Sequence, residues 1–299
     1  MIAQASFWLP SGTMSYLLVV NPASGSGNSD LPTRATQVLN DVRTIELSRG
    51  VDLGREIGCA LDDGRIVVAC GGDGTVNSVA QHVAGTPGTM AVLPAGTLNH
   101  FARDLGVHDP DAAFAALEAG HTGAVDVGRA GDRVFVNTLV FGVYPEIVRE
   151  REHRRASLGG WLALAASVGR VVVGFDPLEG RIAADGRVRA LEATAVFVGN
   201  DRFSTRPGSL GRRPRLDEGV LDVRVVRART GVAGRASAGW RAAIHRPRRV
   251  VGTAAREVEI RLREARLVAI DGEEAGQLRS VRVVSDPGAL RVVTPAPAG

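Results

Sequence analysis

From residue 16 to about residue 123, short apolar, β-branched runs alternate with stretches whose apolar residues recur at helical spacing. The runs at 16–20, 43–47, 66–70 and 90–93 predict strands, and 33–42, 52–62, 75–84, 98–105 and 111–119 predict helices. Such alternation predicts an α/β domain: a parallel sheet with helices on both faces. Beyond Val125 the texture changes. Val-rich runs at 133–138, 180–184, 193–199, 221–226, 257–262, 267–270, 280–284 and 290–293 are separated by turn residues. They predict an antiparallel β-sandwich, interrupted by helical stretches at 144–173 and 233–243. The expected organisation is a disordered leader over 1–14, the α/β domain over 15–125 and the sandwich over 126–299.

Three of the predicted parallel strands end in loops of the same character. The run at 66–70 passes into Gly71-Gly72-Asp73-Gly74-Thr75-Val76-Asn77, and Val76, Val79, Ala80 and Val83 follow at helical spacing. Glycines at such a junction let backbone approach a ligand closely, and the helix start offers unpaired N–H groups to an anion. Asp73 puts a carboxylate in that anion site, where it conflicts with phosphate unless it holds a metal ion or handles a proton. That conflict points to phosphate transfer with magnesium. The Gly-rich turn alone reads equally well as an ordinary strand-to-helix turn. Asn21-Pro22-Ala23-Ser24-Gly25 after the first strand and Pro94-Ala95-Gly96-Thr97-Leu98-Asn99 after the fourth shift the balance. In an open α/β sheet, ligands bind outside the carboxyl ends of the strands.

Composition narrows the chemistry. The 299-residue chain has 44% hydrophobic residues and a net charge of +4, and lysine is absent, so all 36 basic residues are arginine. A lysine-dependent P-loop is therefore excluded. Phosphate must be met by backbone N–H groups, arginine and metal. The positive charge favours an anionic partner. With 4% aromatic residues and no recognisable module, nucleic acid is not expected. An anionic membrane surface is the better fit. Arg149–Arg155 followed by Trp161 and its apolar neighbours, and a second cluster around Arg246, carry the charge for one. The first also reads as the solvated basic end of a helix packed on the sandwich. The only cysteines, Cys59 and Cys70, are expected to be buried free thiols. No transmembrane helix is expected, because the longest apolar stretch, 158–175, is broken by Arg170 and several glycines.

The motifs Asn21-Pro22-Ala23-Ser24-Gly25, Gly71-Gly72-Asp73-Gly74-Thr75-Val76-Asn77 and Gly96-Thr97-Leu98-Asn99 together resemble the diacylglycerol kinase catalytic domain. The resemblance is to the branch of bacterial lipid kinases related to sphingosine and ceramide kinases. Val125-Asp126-Val127-Gly128, Phe135-Val136-Asn137, Leu216–Val223 and Ile270-Asp271-Gly272-Glu273 extend it along nearly the whole chain. Two positions depart from the family pattern. His100 stands where an Asp usually follows the Asn, and Glu218 replaces the second Asp of an Asp-Asp-Gly turn.

The resemblance implies ATP and magnesium (Mg²⁺) as cofactors and a lipid hydroxyl as acceptor of the γ-phosphate. It implies nucleotide contacts from Asn21, Pro22, Ala23, Ser24, Gly25, Ser48, Gly71, Gly72, Asp73, Gly74, Thr75, Val76, Asn77, Gly96 and Thr97. Asp73 is expected to hold catalytic Mg²⁺, with Asp126 assisting, and Asp271 to be the general base. A structural metal is expected at Glu218 with the carbonyls of Arg215 and Val220. By spacing alone, Asp271-Gly272 reads as a hairpin turn and the Glu218 segment as a solvated turn. The implied location is cytoplasmic and peripheral at the inner face of the membrane, and a homodimer is allowed. Two other classes compete: a soluble small-molecule kinase of NAD-kinase type, and a non-catalytic nucleotide- or lipid-binding protein.

Overall fold

The computed structural model describes residues 7–8, 14–22, 30–48, 50–142, 176–206, 209, 211–227 and 250–296. Ala23–Gly25, the helical stretches expected at 144–173 and 233–243, and both arginine clusters lie outside the described residues. The chain divides into two compact units that interleave along the sequence. The first holds Met1–Asn137, Asn200–Gly219 and Ser285–Gly299, and the second Thr138–Gly199 and Val220–Val284.

In the first unit the elements are β1 (Phe7–Trp8), β2 (Tyr16–Val20), α1 (Leu31–Val38), β3 (Val42–Glu46), α2 (Leu53–Asp62) and β4 (Ile66–Gly71). They continue with α3 (Asp73–Val83), β5 (Thr89–Pro94), α4 (His100–Asp104), α5 (Pro110–Ala119), β6 (His121–Ala130) and β7 (Arg133–Phe135). Strands β3, β2, β4 and β5 lie side by side and parallel, with Val20 opposite both Glu46 and Cys70, and Cys70 opposite Leu93. Every residue of β2, β4 and β5 is buried, as expected for strands covered on both faces. Helix α3 turns Val76, Val79, Ala80 and Val83 onto the sheet, all at most 2% exposed. The helical spacing of these four residues is thus the packing face itself.

Several boundaries move for local reasons. Helix α1 starts two residues early because Pro32 sits in its first turn, where its fixed φ suits a helix start. It ends at Val38, and Asp41 in a left-handed conformation turns the chain into β3. Helix α4 starts two residues late because Asn99 is left-handed (φ 48°). Helix α5 is capped by Asp109, whose carboxylate accepts from Ala112 N–H at 2.8 Å, a bond typically worth about 1 kcal/mol. Cys59, expected inside, is exposed, because α2 buries Ile57 and Ala60 instead.

Two further corrections concern strands. The leader expected to be disordered contributes β1, which pairs antiparallel with Thr122 and His121. The ten-residue β6 went unrecognised because Gly123, Asp126 and Gly128 interrupt its apolar pattern. The expected boundary between 125 and 126 falls inside it.

The second unit is built from β8 (Thr138–Gly142), β9 (Leu178–Ala184), β10 (Arg187–Asn200), β11 (Leu221–Arg227), β12 (Val250–Ala255), β13 (Glu257–Ile270) and the first part of β14 (Glu273–Val293). The order is β12-β11-β10-β8-β13-β14, with β9 pairing both β10 and β13. The β8–β10, β9–β10, β11–β12, β8–β13 and β9–β13 pairings are antiparallel, as the Val-rich texture predicts. The separate runs expected at 257–262 and 267–270 form one strand, because the ladder passes the intervening residues with a register shift between Arg261 and Arg266. The rest of β14 returns to the first unit, where Arg291 and Val292 pair parallel with β5.

Candidate active site

The carboxyl ends of β3, β2, β4 and β5 place Ser48, Asn21, Gly72 and Gly96 along one edge of the parallel sheet. Backbone bonds tie these ends together. Asn21 N–H donates to the Cys70 carbonyl at 3.4 Å, and Ala95 N–H to the Gly71 carbonyl at 3.0 Å. The loops after β4 and β5 touch backbone to backbone. A Cβ added at Gly96 falls 2.5 Å from Gly72 Cα, far inside contact distance. Only glycine allows this approach. The loop after β5 is closed on itself: Asn99 Oδ1 accepts from Gly96 N–H at 3.0 Å, and Asn99 Nδ2 donates to the Gly96 carbonyl at 2.8 Å. Thr97 is exposed at its tip.

Asp73 opens α3 and bridges these loops. Its two carboxylate oxygens accept from the backbone N–H groups of His100 and Phe101, both at 3.2 Å. It therefore caps α4 from the neighbouring loop. His100 is the first residue of that helix. Two features of the loop suit a phosphate-bearing ligand. The first N–H groups of α3 have no intrahelical partner, and its N-cap, Gly72, brings no side chain to them. Thr75 is 2% exposed, and its hydroxyl has no hydrogen-bond partner. No cluster of three or more His, Cys, Asp or Glu side chains is arranged for a metal among the described residues. Mg²⁺ needs no such cage where one carboxylate, substrate phosphates and waters complete its shell. Asp73 fits that arrangement.

Behind Asp73 lies a buried polar chain that the sequence reading passed over. Asn137 Nδ2 lies 3.5 Å from Asp73 Oδ1, and Asn137 Oδ1 accepts from Arg213 at 2.7 Å. Arg213 is 3% exposed. Its Nε donates to Asp104 at 2.7 Å, and its Nη1 to the carbonyls of Val136 and Asn200. The guanidinium also lies over the Phe203 ring, 5.3 Å from its centroid. Among Arg206, Arg212, Arg213 and Arg215, no periodicity marks this one as buried. Only its long-range partners do.

Asp126 is buried in β6 and works as a clamp. It accepts from Gly219 N–H at 2.5 Å and from Gly288 N–H at 2.8 Å. Beside it, Asp201 is fully buried in a left-handed conformation and accepts from Glu218 N–H at 3.0 Å. Burial, and then the neighbouring Asp126 carboxylate, raise its pKa to about 8, which favours the protonated form in the folded protein. The Glu218 carboxylate lies 3.3 Å from Arg202, and Arg215 pairs with Asp217 at 2.9 Å. Val220 opens the second unit.

Asp271 also belongs to the second unit. It occupies the first turn position between β13 and β14 (φ 48°), followed by Gly272 (φ 86°). These are the signs of a tight hairpin turn in which both central residues are left-handed. Its N–H donates to the Thr138 carbonyl at 2.8 Å, and its Oδ1 accepts from Thr138 N–H at 2.7 Å. The side chain, on a residue 8% exposed, is fixed.

The comparisons with known proteins agree with this architecture. Residues 15–130 match the diacylglycerol kinase catalytic domain, and residues 140–294 match the YegS C-terminal NAD kinase beta sandwich-like domain. The diacylglycerol kinase of Staphylococcus aureus (strain Newman) is 30% identical over 166 residues, covering 54% of this chain and 52% of that protein. The chain thus spans about half the length of the curated relatives it matches. The crystal structure of a diacylglycerol kinase from Bacillus anthracis str. Sterne superposes with a TM-score of 0.69 at 22% identity, covering 95% of this chain and 97% of that one. Yeast NADH kinase in complex with NADH gives a TM-score of 0.50 at 11% identity, over 98% and 88%. Both structures share the fold: an α/β domain with a β-sandwich-like partner. The chain belongs to the diacylglycerol kinase catalytic-domain family, with the YegS-type C-terminal domain.

Proposed function

We propose that the protein is an ATP-dependent lipid kinase, transferring the γ-phosphate to the hydroxyl of a diacylglycerol-like or sphingoid lipid. The observation that carries this reading is the placement of Asp73. A single carboxylate stands where the Gly72 and Gly96 loops meet, beside the unpaired N–H groups of α3. Phosphoryl transfer rests on positioning and charge neutralisation. In this reading the loops of residues 21–25, 71–77 and 96–97, with Ser48, hold the nucleotide phosphates. Asp73 holds Mg²⁺, which neutralises charge developing on the phosphates. Asp271 accepts the proton of the lipid hydroxyl. That oxygen then bonds to the γ-phosphorus as the bond to ADP breaks. Its fixing against Thr138 spares Asp271 the reorientation that a mobile base would need. Glu218, with the Arg215 and Val220 carbonyls, forms a second, structural metal site in competition with Arg202.

The arginine clusters at 149–155 and 241–249 are assigned to an anionic membrane surface on the cytoplasmic side. No helix among the described residues is long and apolar enough to cross a membrane. Incubating the protein with radiolabelled ATP, Mg²⁺ and extracted membrane lipids tests the reading. A labelled lipid, identified by mass spectrometry, is the expected product. Labelled NAD without any labelled lipid moves the protein to the NAD-kinase type, and no transfer at all moves it to a binding role.

A further inference from the structure

A cavity of about 680 Å³ opens in the first unit between the end of α4 and residues 202–206, 209 and 212–214. Five arginines line it, with two carboxylates. Both carboxylates are engaged, Asp104 by Arg213 at 2.7 Å and Glu218 by Arg202 at 3.3 Å. Arg103, Arg206 and Arg212 have no carboxylate partner among the described residues. Three guanidinium charges therefore face one concave space without a counter-charge among the described residues.

The wall carrying two of them is fastened at its base. Ser204 N–H donates to the Arg212 carbonyl at 2.8 Å, and Gly211 N–H to the Ser204 carbonyl at 3.2 Å. The Ser204 and Ser209 hydroxyls are 2.7 Å apart, and Ser204 Oγ also accepts from Arg206 N–H at 3.2 Å. The backbone at Arg206 and at Arg212 is thus tied to Ser204 despite the repulsion of their like charges. Such a concave cationic site concentrates anions, and guanidinium forks match phosphate oxygens two by two. Serine hydroxyls in the lining add neutral donors, and Phe203 and Pro214 give the wall an apolar part. The volume suits an organic ligand rather than a bare ion.

We propose that this cavity binds a phosphate monoester, with Arg103, Arg206 and Arg212 as its ligating cations. A monoester brings close to two negative charges and three terminal oxygens, whereas a diester brings one charge and two such oxygens. The residual charge of three guanidinium groups favours the former. The same chemistry is presented by a soluble ester such as glycerol 3-phosphate and by the headgroup of phosphatidic acid. No residue lining this cavity belongs to the nucleotide loops, and the proposal does not rest on the acceptor proposed above.

The test uses the full chain with a non-hydrolysable ATP analogue and Mg²⁺ filling the nucleotide site. Glycerol 3-phosphate is titrated calorimetrically. Flotation is measured with phosphatidylcholine vesicles carrying either phosphatidic acid or phosphatidylglycerol. Wild type is compared with R206Q/R212Q, with the single variant R103Q, and with R187Q/R189Q. The last removes the same charge from the exposed β10 residues of the second unit. Losing a charge-assisted hydrogen bond typically weakens binding about tenfold or more. That loss is expected for R206Q/R212Q and R103Q and not for R187Q/R189Q. Binding of glycerol 3-phosphate assigns a soluble ligand; binding to phosphatidic acid vesicles alone assigns a headgroup. Unchanged binding in R206Q/R212Q and R103Q overturns the site. An equal loss in R187Q/R189Q reduces it to net charge, and equal flotation with phosphatidylglycerol overturns the monoester assignment. Failure of wild type to bind either probe overturns the proposal outright.

Discussion

Asp73 and Asp271 are held in opposite ways. Asp73 starts a helix in the first unit and reaches three donors at 3.2–3.5 Å, two of them N–H groups of another helix. Asp271 sits in a hairpin turn of the second unit, locked to one residue by a pair of bonds at 2.7 and 2.8 Å. The first hold is loose and multi-directional, which suits a carboxylate that must share its oxygens with a cation. The second fixes a carboxylate in one orientation, which suits proton acceptance. The surroundings differ in the same sense. Behind Asp73 stands a chain of buried polar partners in one unit, whereas Asp271 is set by its hairpin turn and by Thr138 of the neighbouring strand.

The largest effect is expected from Asp73→Asn. The amide cannot replace the carboxylate toward Mg²⁺, so turnover should fall by more than about 10²-fold. Circular dichroism should show an intact fold, because the half-buried side chain supports only the short α4. Turnover within a few-fold of wild type removes Asp73 from the metal site.

Arg213→Met probes the buried chain behind it. Breaking a buried pair from one side leaves Asp104 uncompensated and typically costs about 3–5 kcal/mol. The urea midpoint should drop sharply, whereas Arg282→Ala, which breaks an exposed pair with Glu257 in the second unit, should barely move it. Equal effects of the two variants would erase the contrast between the buried polar chain and the sandwich surface.

Gly96→Ala should act through geometry. The added methyl has no room against Gly72 Cα, so the loops must part, and misplacement on the scale of 1 Å costs about 10²-fold in rate. The KM for ATP should rise as well. A variant with wild-type kinetics shows that the contact is not needed for the nucleotide.

Asp201 gives the most specific signal. Its pKa is raised in the folded protein to about 8, against about 4 when unfolded. Between those values the folded state binds the extra proton, so this residue makes stability fall as pH rises. Below about pH 4 both states are protonated and the effect vanishes. Measured in EDTA, Asp201→Asn should lack this downward slope. Its stability relative to wild type should therefore grow from pH 4 to pH 8. Parallel pH profiles for the two proteins contradict the protonated Asp201.

The parallel strands were readable because β-branched runs end in Gly or Pro, and α3 because Val76, Val79, Ala80 and Val83 mark one helical face. The strand-end loops were readable for the same reason: backbone chemistry is local. What escaped was non-local. Arg213 meets Asp104 across 109 residues, and Asp126 meets Gly288 across 162. Neither spacing leaves a pattern in the chain. The strand β6 carries Asp126 in its interior because that carboxylate serves distant N–H groups, and Gly128 because the Phe135 ring leaves no room for a β-carbon. The irregular ladder of β13 hid one strand as two, since a register shift breaks the period that a sequence shows.

The central claim is a division of labour, with metal and nucleotide handled at Asp73 and the proton at Asp271. Steady-state kinetics of Asp271→Asn with a confirmed lipid acceptor, at varied ATP and Mg²⁺, test it most directly. The account predicts a kcat lowered by about 10²–10⁴-fold with the KM for ATP and the Mg²⁺ dependence unchanged, while Asp73→Asn disturbs all three. An Asp271→Asn protein that keeps its kcat and loses ATP affinity contradicts the account.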